Sequence, residues 1–75
     1  MSYDVLCHYG VIGVTSKAVL VLIEPLKPGQ RQDDPKVDKR WIPKSLIENP
    51  DDLTVGDGPG EFEVRTWFMV KEGLL

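Results

Sequence analysis

Arg40-Trp41-Ile42-Pro43-Lys44-Ser45-Leu46-Ile47 is the stretch from which the fold can be read. An aromatic–aliphatic pair runs into a proline, a short serine-containing turn follows, and the chain returns to apolar residues. Proline cannot donate to a strand ladder, so a strand is expected to stop at about Ile42. Lys44-Ser45-Leu46 predicts one turn of 3₁₀ helix, a common connector between elements. Strand, proline and tight turn together predict a corner of a small β-barrel.

The rest of the chain extends that expectation in both directions. Upstream, Ala18-Val19-Leu20-Val21-Leu22-Ile23 is apolar in both registers and rich in β-branched residues, which predicts a strand over Lys17 to Glu24 that ends at Pro25. Periodicity alone also admits a turn and a half of buried helix there. Before it, Tyr3, Val5, Cys7, Tyr9 and Val11 alternate with Asp4, His8 and Gly10, the period-two pattern of one half-buried strand from Tyr3 to Val14, reversed at Thr15-Ser16, although Leu6 and Ile12 also lie in the second register. Gly10 and Gly13 mark a bulge or bend in it. Glu24 to Asp38 is a polar connection with three prolines and Gln30-Arg31-Gln32-Asp33-Asp34 between them. Loops of this length are functional or mobile, and residues 24–38 are expected to form no core. Downstream, Leu53-Thr54-Val55 and Glu61-Phe62-Glu63-Val64-Arg65 flank Gly56-Asp57-Gly58-Pro59-Gly60 and predict a hairpin with Phe62 and Val64 inward. Thr66 is placed to cap a last helix over Trp67 to Glu72, with Gly73 at its stop and Trp67, Val70 and Leu74 on one face.

Seventy-five residues, 41% hydrophobic and 28% charged, describe one ordinary small globular domain spanning 1–75. A single cysteine excludes an internal disulfide and a multi-cysteine metal site, and fits a reducing compartment such as the cytoplasm. No apolar run reaches the ~18 residues of a membrane span, and the first residues lack a basic leader pattern. A net charge of −3 gives no broad attraction to nucleic acid.

Groups that carry chemistry are sparse. Cys7 and His8 are neighbours, so one regular strand points them to opposite faces, and no second histidine exists to pair with the thiol. The expected arrangement is a small buried thiol and a surface imidazole. Asp33-Asp34, Asp51-Asp52, Asp57, Glu61 and Glu63 read as solvated acids, because Asp57-Gly58-Pro59-Gly60-Glu61 lacks the alternating oxygen ligands of a calcium loop. Gly56, Gly58 and Gly60 do not form a phosphate loop, because Pro59 removes an amide and no Lys-Ser/Thr follows. No catalytic residue, metal ligand or cofactor is expected.

One cluster stands out as a binding surface: Lys39, Arg40, Trp41 and Lys44, with Arg31 and Lys36 upstream. Arginine and tryptophan dominate protein-binding hot spots, and indoles flanked by bases also stack on single-stranded nucleic acid. Trp41 is equally readable as a core residue with a solvated basic fringe. Trp67 is expected in the core.

Trp41-Ile42-Pro43-Lys44-Ser45-Leu46-Ile47 resembles the strand and 3₁₀ corner of Src-homology-3 domains over about ten residues. The acidic–aromatic N-terminal motif of that family is absent, and its proline-peptide groove is not carried over. Lys17-Ala18-Val19-Leu20-Val21, Trp41 to Ser45 and Lys71-Glu72-Gly73-Leu74 together are similar to a loose group of small phage and mobile-element proteins. That resemblance implies a fold and a genetic setting without supplying an activity.

The expected fold is all-β with a short C-terminal helix: a five-stranded antiparallel barrel, Src-homology-3-like or OB-like. The expected function is a non-catalytic protein-binding module, phage-encoded and acting in the host cytoplasm, for example as an inhibitor of a host defence or nucleic-acid-processing complex. The alternatives are a single-stranded nucleic-acid binder and a structural or assembly factor.

Overall fold

The computed structural model describes residues 2–75. Five strands and one short helix follow in the order β1 (Tyr3–His8), β2 (Gly10–Val14), β3 (Ala18–Leu22), β4 (Lys39–Pro43), β5 (Gly60–Arg65) and α1 (Thr66–Lys71), with 3₁₀ turns at Lys44–Leu46 and Pro50–Asp52. The fold is therefore mostly β with a C-terminal helix. The strands form two antiparallel sheets, β1-β5 and β2-β3-β4.

The apolar run over β3 is a strand, and its alternation shows why. Val19 and Val21 are fully buried opposite Ile42 and Arg40, whereas Ala18 and Leu20 are only half-covered. The core gathers Leu6, Val11, Val19, Val21, Ile42, Ile47, Val64, Phe68 and Met69, so every element but the 3₁₀ turns contributes a buried side chain. Burying each such side chain is worth roughly 1.5–3 kcal/mol.

The expected single strand from Tyr3 to Val14 is two. The chain passes from one sheet to the other at Tyr9–Gly10. Tyr9 still donates its amide to Leu22, but β1 pairs with β5 along its whole length, from Tyr3↔Arg65 to His8↔Gly60. This long-range pairing displaces the expected 53–55 hairpin. Leu53 to Val55 does not form a strand. Asp57 accepts from the Thr54 amide at 2.9 Å and from its hydroxyl at 3.0 Å, which folds 54–57 into a closed turn. That turn then bonds the outer edge of β2: Val11 donates to Asp57 O, and Gly56 donates to Val11 O.

Three further expectations are corrected. Pro43 lies inside β4, opposite Ala18, rather than after it. Lys44 donates to Lys17 O and Ile23 donates to Asp38 O, so the main-chain groups of residues 38, 40, 42 and 44 face β3. By alternation those of Lys39, Trp41 and Pro43 face away. A proline costs no ladder bond at that position. Next, Val37 is buried in the polar connection, which is otherwise a run of turns. Finally, α1 is not capped by Thr66. The Thr66 hydroxyl donates instead to Asp4 Oδ2 at 2.6 Å, and Arg65 sits at the cap position. The helix buries Phe68 and Met69, while Trp67 (54% exposed) and Val70 face solvent. Gly73, at φ 71°, ends the helix as expected: Gly73 donates to Val70 O and Leu74 to Met69 O, the paired bonds of a glycine-terminated helix.

Candidate functional site

The strand alternation of β4 splits the basic–aromatic cluster between two faces. Lys39, Trp41 and Pro43 project outward, and Arg40 and Ile42 project toward the core. Ile42 is fully buried, and Trp41 is 50% exposed. Trp41 stands in a cross-strand row with Leu20 and Gly13. A Cβ on Gly13 would lie 3.2 Å from Leu20 Cβ and 3.4 Å from Trp41 Cη2, so the indole lies over the sheet where β2 presents no side chain. Trp41 is thus a surface residue resting on the outer face of the three-stranded sheet.

Arg40 serves the fold. Its Nη1 donates to Glu72 O at 3.0 Å and its Nε to Asp38 Oδ1 at 3.0 Å, with Glu72 Oε1 4.0 Å away. A cation at the last carbonyls of α1 is favourably placed against the helix dipole. Lys39 donates from Nζ to Gln32 O at 2.9 Å, which ties the polar connection to β4 beside Arg31. Arg31 and Lys36 are exposed on that connection, and half-buried Lys44 opens the 3₁₀ turn after Pro43. Lys39 and Trp41 therefore mark the outward edge, Lys44 lies just beyond it in the 3₁₀ turn with its amide bonded to Lys17 O, Arg31 and Lys36 lie on the loop tied to Lys39, and Arg40 is turned inward.

That edge is chemically open. β4 is the last strand of its sheet, so the outward amides and carbonyls of Lys39 and Trp41 pair with no strand among the described residues. The opposite edge, β2, is closed by Gly56 and Asp57 as described above.

A second site was not legible in the sequence. Contrary to expectation, Cys7 is exposed and His8 is buried at 5% exposure, because β1 turns Leu6 and His8 inward and Val5 and Cys7 outward. His8 forms part of a cleft of about 670 Å³ whose lining includes Glu48, Asp52, Asp57, Glu61, Glu63 and Phe62. The imidazole and Phe62 rings stand 5.3 Å apart, and His8 Nδ1 has no hydrogen-bond partner. Burial holds the His8 pKa below its ordinary value, partly opposed by the nearby Asp57 carboxylate. Asp57 itself titrates below the ordinary carboxylate range, first because the Thr54 amide and then because the Thr54 hydroxyl bonds its charged form. The acids looked like unrelated turn residues in the sequence. The pairing of β1 with β5 sets His8 beside Gly60 and Phe62 on the inner face, whereas Glu61 and Glu63 stand with Cys7 and Val5 on the outer face.

Among the described residues no three His, Cys, Asp or Glu side chains converge on a metal position, and no helix is long and apolar enough to cross a membrane. No protein-family model matches the sequence, and neither a curated protein nor a solved structure matches it significantly.

Proposed function

We propose that this chain is a non-catalytic protein-binding module that takes an extended, acidic segment of its partner along the β4 edge. The observation that carries this is the free main chain of Lys39 and Trp41 beside a half-exposed indole. An added strand gains main-chain hydrogen bonds from such an edge, and side-chain contacts set its specificity. Trp41 supplies a large rigid anchor, and Lys39, Lys44, Lys36 and Arg31 supply positive charge despite a net charge of −3. The phage-like resemblance makes an inhibitor of a host defence or nucleic-acid-processing complex, met in the host cytoplasm, the concrete form of the proposal. We read the two sheets as halves of an open barrel, because the chain crosses between them at Tyr9–Gly10 and Ile47 bridges to Val64.

A single-stranded nucleic-acid binder is the second reading, favoured by the position of Trp41 on a sheet face beside Lys39. Affinity capture from bacterial lysate separates the two. The wild type is expected to retain a nuclease-resistant protein that a folded Trp41→Ala/Lys44→Glu variant loses. Equal capture by that variant overturns the proposal, and capture abolished by nuclease replaces it with the second reading.

A further inference from the structure

A second strand edge, on β1, is also open. Thr66 donates to Ser2 O and Tyr9 donates to Leu22 O, so the main-chain groups of Asp4, Leu6 and His8 face β5 and those of Tyr3, Val5 and Cys7 face away. Among the described residues no strand pairs with that outward side, and no main-chain bond reaches Tyr3, Val5 or Cys7 there. The far edge of β5, by contrast, is met by Glu48, which donates to Glu63 O. Side chains do not shield the β1 edge either: Val5 is 49% exposed and Cys7 is exposed. Nor does β1 contain the lysine, proline or bulge that blunts an edge against strand addition.

The geometry selects what this edge takes. Run antiparallel to itself about Val5, β1 sets Val5 against Val5 and Tyr3 against Cys7 of the second copy. All three outward residues then pair, with about six main-chain hydrogen bonds. On the outer face, Glu61 and Cys7 of one copy continue into Tyr3 and Arg65 of the other, and the two-fold axis repeats the row. Each row thus ends in one charge of each sign, and neither Glu61 nor Arg65 forms an ion pair within its own chain among the described residues. Both charges already lean toward β1. Cys7 Sγ donates to Glu61 Oε2 at 3.9 Å, and the Arg65 guanidinium lies 4.5 Å from the centre of the Tyr3 ring. The central row holds two Glu63 residues, but three strand spacings part them by about 14 Å, beyond the ~8–10 Å screening length. Charge complementarity therefore favours a second copy of this chain.

We propose that two copies pair β1 against β1 about a two-fold axis at Val5, forming a continuous four-stranded sheet β5-β1-β1-β5. The contact is short, so the dimer is weak, with an expected dissociation constant of about 0.1–1 mM. It uses the other sheet from the β4 edge and stands independently of the function proposed for that edge.

Sedimentation of the whole chain under reducing conditions tests this. The protein is expected to be monomeric at about 50 µM and substantially dimeric at about 2 mM. Val5→Lys sets two ammonium groups together at the axis and is expected to weaken the dimer at least about tenfold. Val5→Pro removes an amide that has no partner within the chain, so it is expected to melt like the wild type and stay monomeric. Trp41→Ala should leave the dimer unchanged. Cross-linking with glutathione disulfide fixes the register. In a Cys7→Ser background, Val5→Cys is expected to form a dimeric disulfide, because paired Cα atoms lie about 5.5 Å apart. Wild-type Cys7, about 14 Å from its counterpart in this register, is not. A monomeric mass at about 2 mM overturns the proposal, as do species that grow beyond a dimer. So does Val5→Lys associating like the wild type, loss of the dimer in folded Trp41→Ala, or wild-type Cys7 cross-linking as fast as the Val5→Cys variant.

Discussion

Replacing Arg40 with methionine keeps most of its aliphatic stem and removes its donors. Two bonds are lost: one to the Glu72 carbonyl at 3.0 Å and one to the Asp38 carboxylate at 3.0 Å. A hydrogen bond from a charged donor contributes ~1.5–3 kcal/mol when shielded. The Arg40 side chain is one-third exposed, so both bonds are partly screened, and the Asp38 pair falls toward the ~0.2–1 kcal/mol of surface ion pairs. A cation at a helix C-terminus adds ~0.3–1 kcal/mol. Weighing these together, Arg40→Met is expected to cost about 1–2 kcal/mol. For a chain of this length the unfolding entropy is about 0.16 kcal/mol/K, so Tm should fall by about 6–12 °C. Thermal unfolding followed by circular dichroism measures this directly. Glu72→Ala is the matched control. It keeps the backbone acceptor and removes only the 4.0 Å contact, so its Tm should move by less than about 3 °C. If Arg40→Met melts within about 2 °C of wild type, Arg40 is not a structural staple and belongs with the binding residues after all. The distinction matters for any test of binding, because a variant that changes Arg40 confounds lost contact with lost fold.

Three other perturbations probe separate parts of the structure. The folded His8 pKa lies below the ordinary 6.5, so the unfolded chain takes up its proton first as pH falls. The His8 contribution is therefore complete above pH ~6.5 and declines between that value and its lower folded pKa, so Tm should drop from pH 7.5 to 5.5 and His8→Phe should flatten that part of the profile. An unchanged slope in His8→Phe would refute the assignment. Gly13→Val places a side chain against Leu20 and Trp41, so in a Trp67→Phe background the emission of Trp41 should shift to the red with a loss of about 1–3 kcal/mol; unchanged emission would show that the indole does not rest on Gly13. Pro43→Val adds an amide to the open edge, so stability should change by less than about 1 kcal/mol while sedimentation detects more self-association. A loss above about 2 kcal/mol would mean that position 43 faces β3.

The parts of the fold legible in the sequence were those set by local chemistry. The β-branched run of β3, the strand and 3₁₀ turn around Pro43, and the glycine stop at Gly73 each follow from neighbours in the chain. What was not legible depended on partners far along it. Tyr3 to Val14 carried apolar residues in both registers, and the choice of Leu6 and His8 as the inward pair is made by β5, more than fifty residues away. The same pairing took β5 from Leu53–Val55 and left those residues to the Asp57 turn. The helix had apolar residues all round, so Trp67 and Phe68 competed for the core, and Phe68 and Met69 occupy it. The basic–aromatic cluster was found as a composition, but strand parity, which divides Arg40 from Trp41, needed the edge position of β4 to acquire meaning.

The central claim is that β4 offers an open edge, and residue-resolved amide hydrogen exchange in the free protein tests it most directly. Arg40 and Ile42 amides face β3 and should exchange slowly, while the Lys39 and Trp41 amides that alternate with them should exchange orders of magnitude faster. Binding of the partner should then slow Lys39 and Trp41 selectively. Uniform protection from Lys39 to Ile42 in the free monomer would show that the edge is already occupied, and would contradict the account.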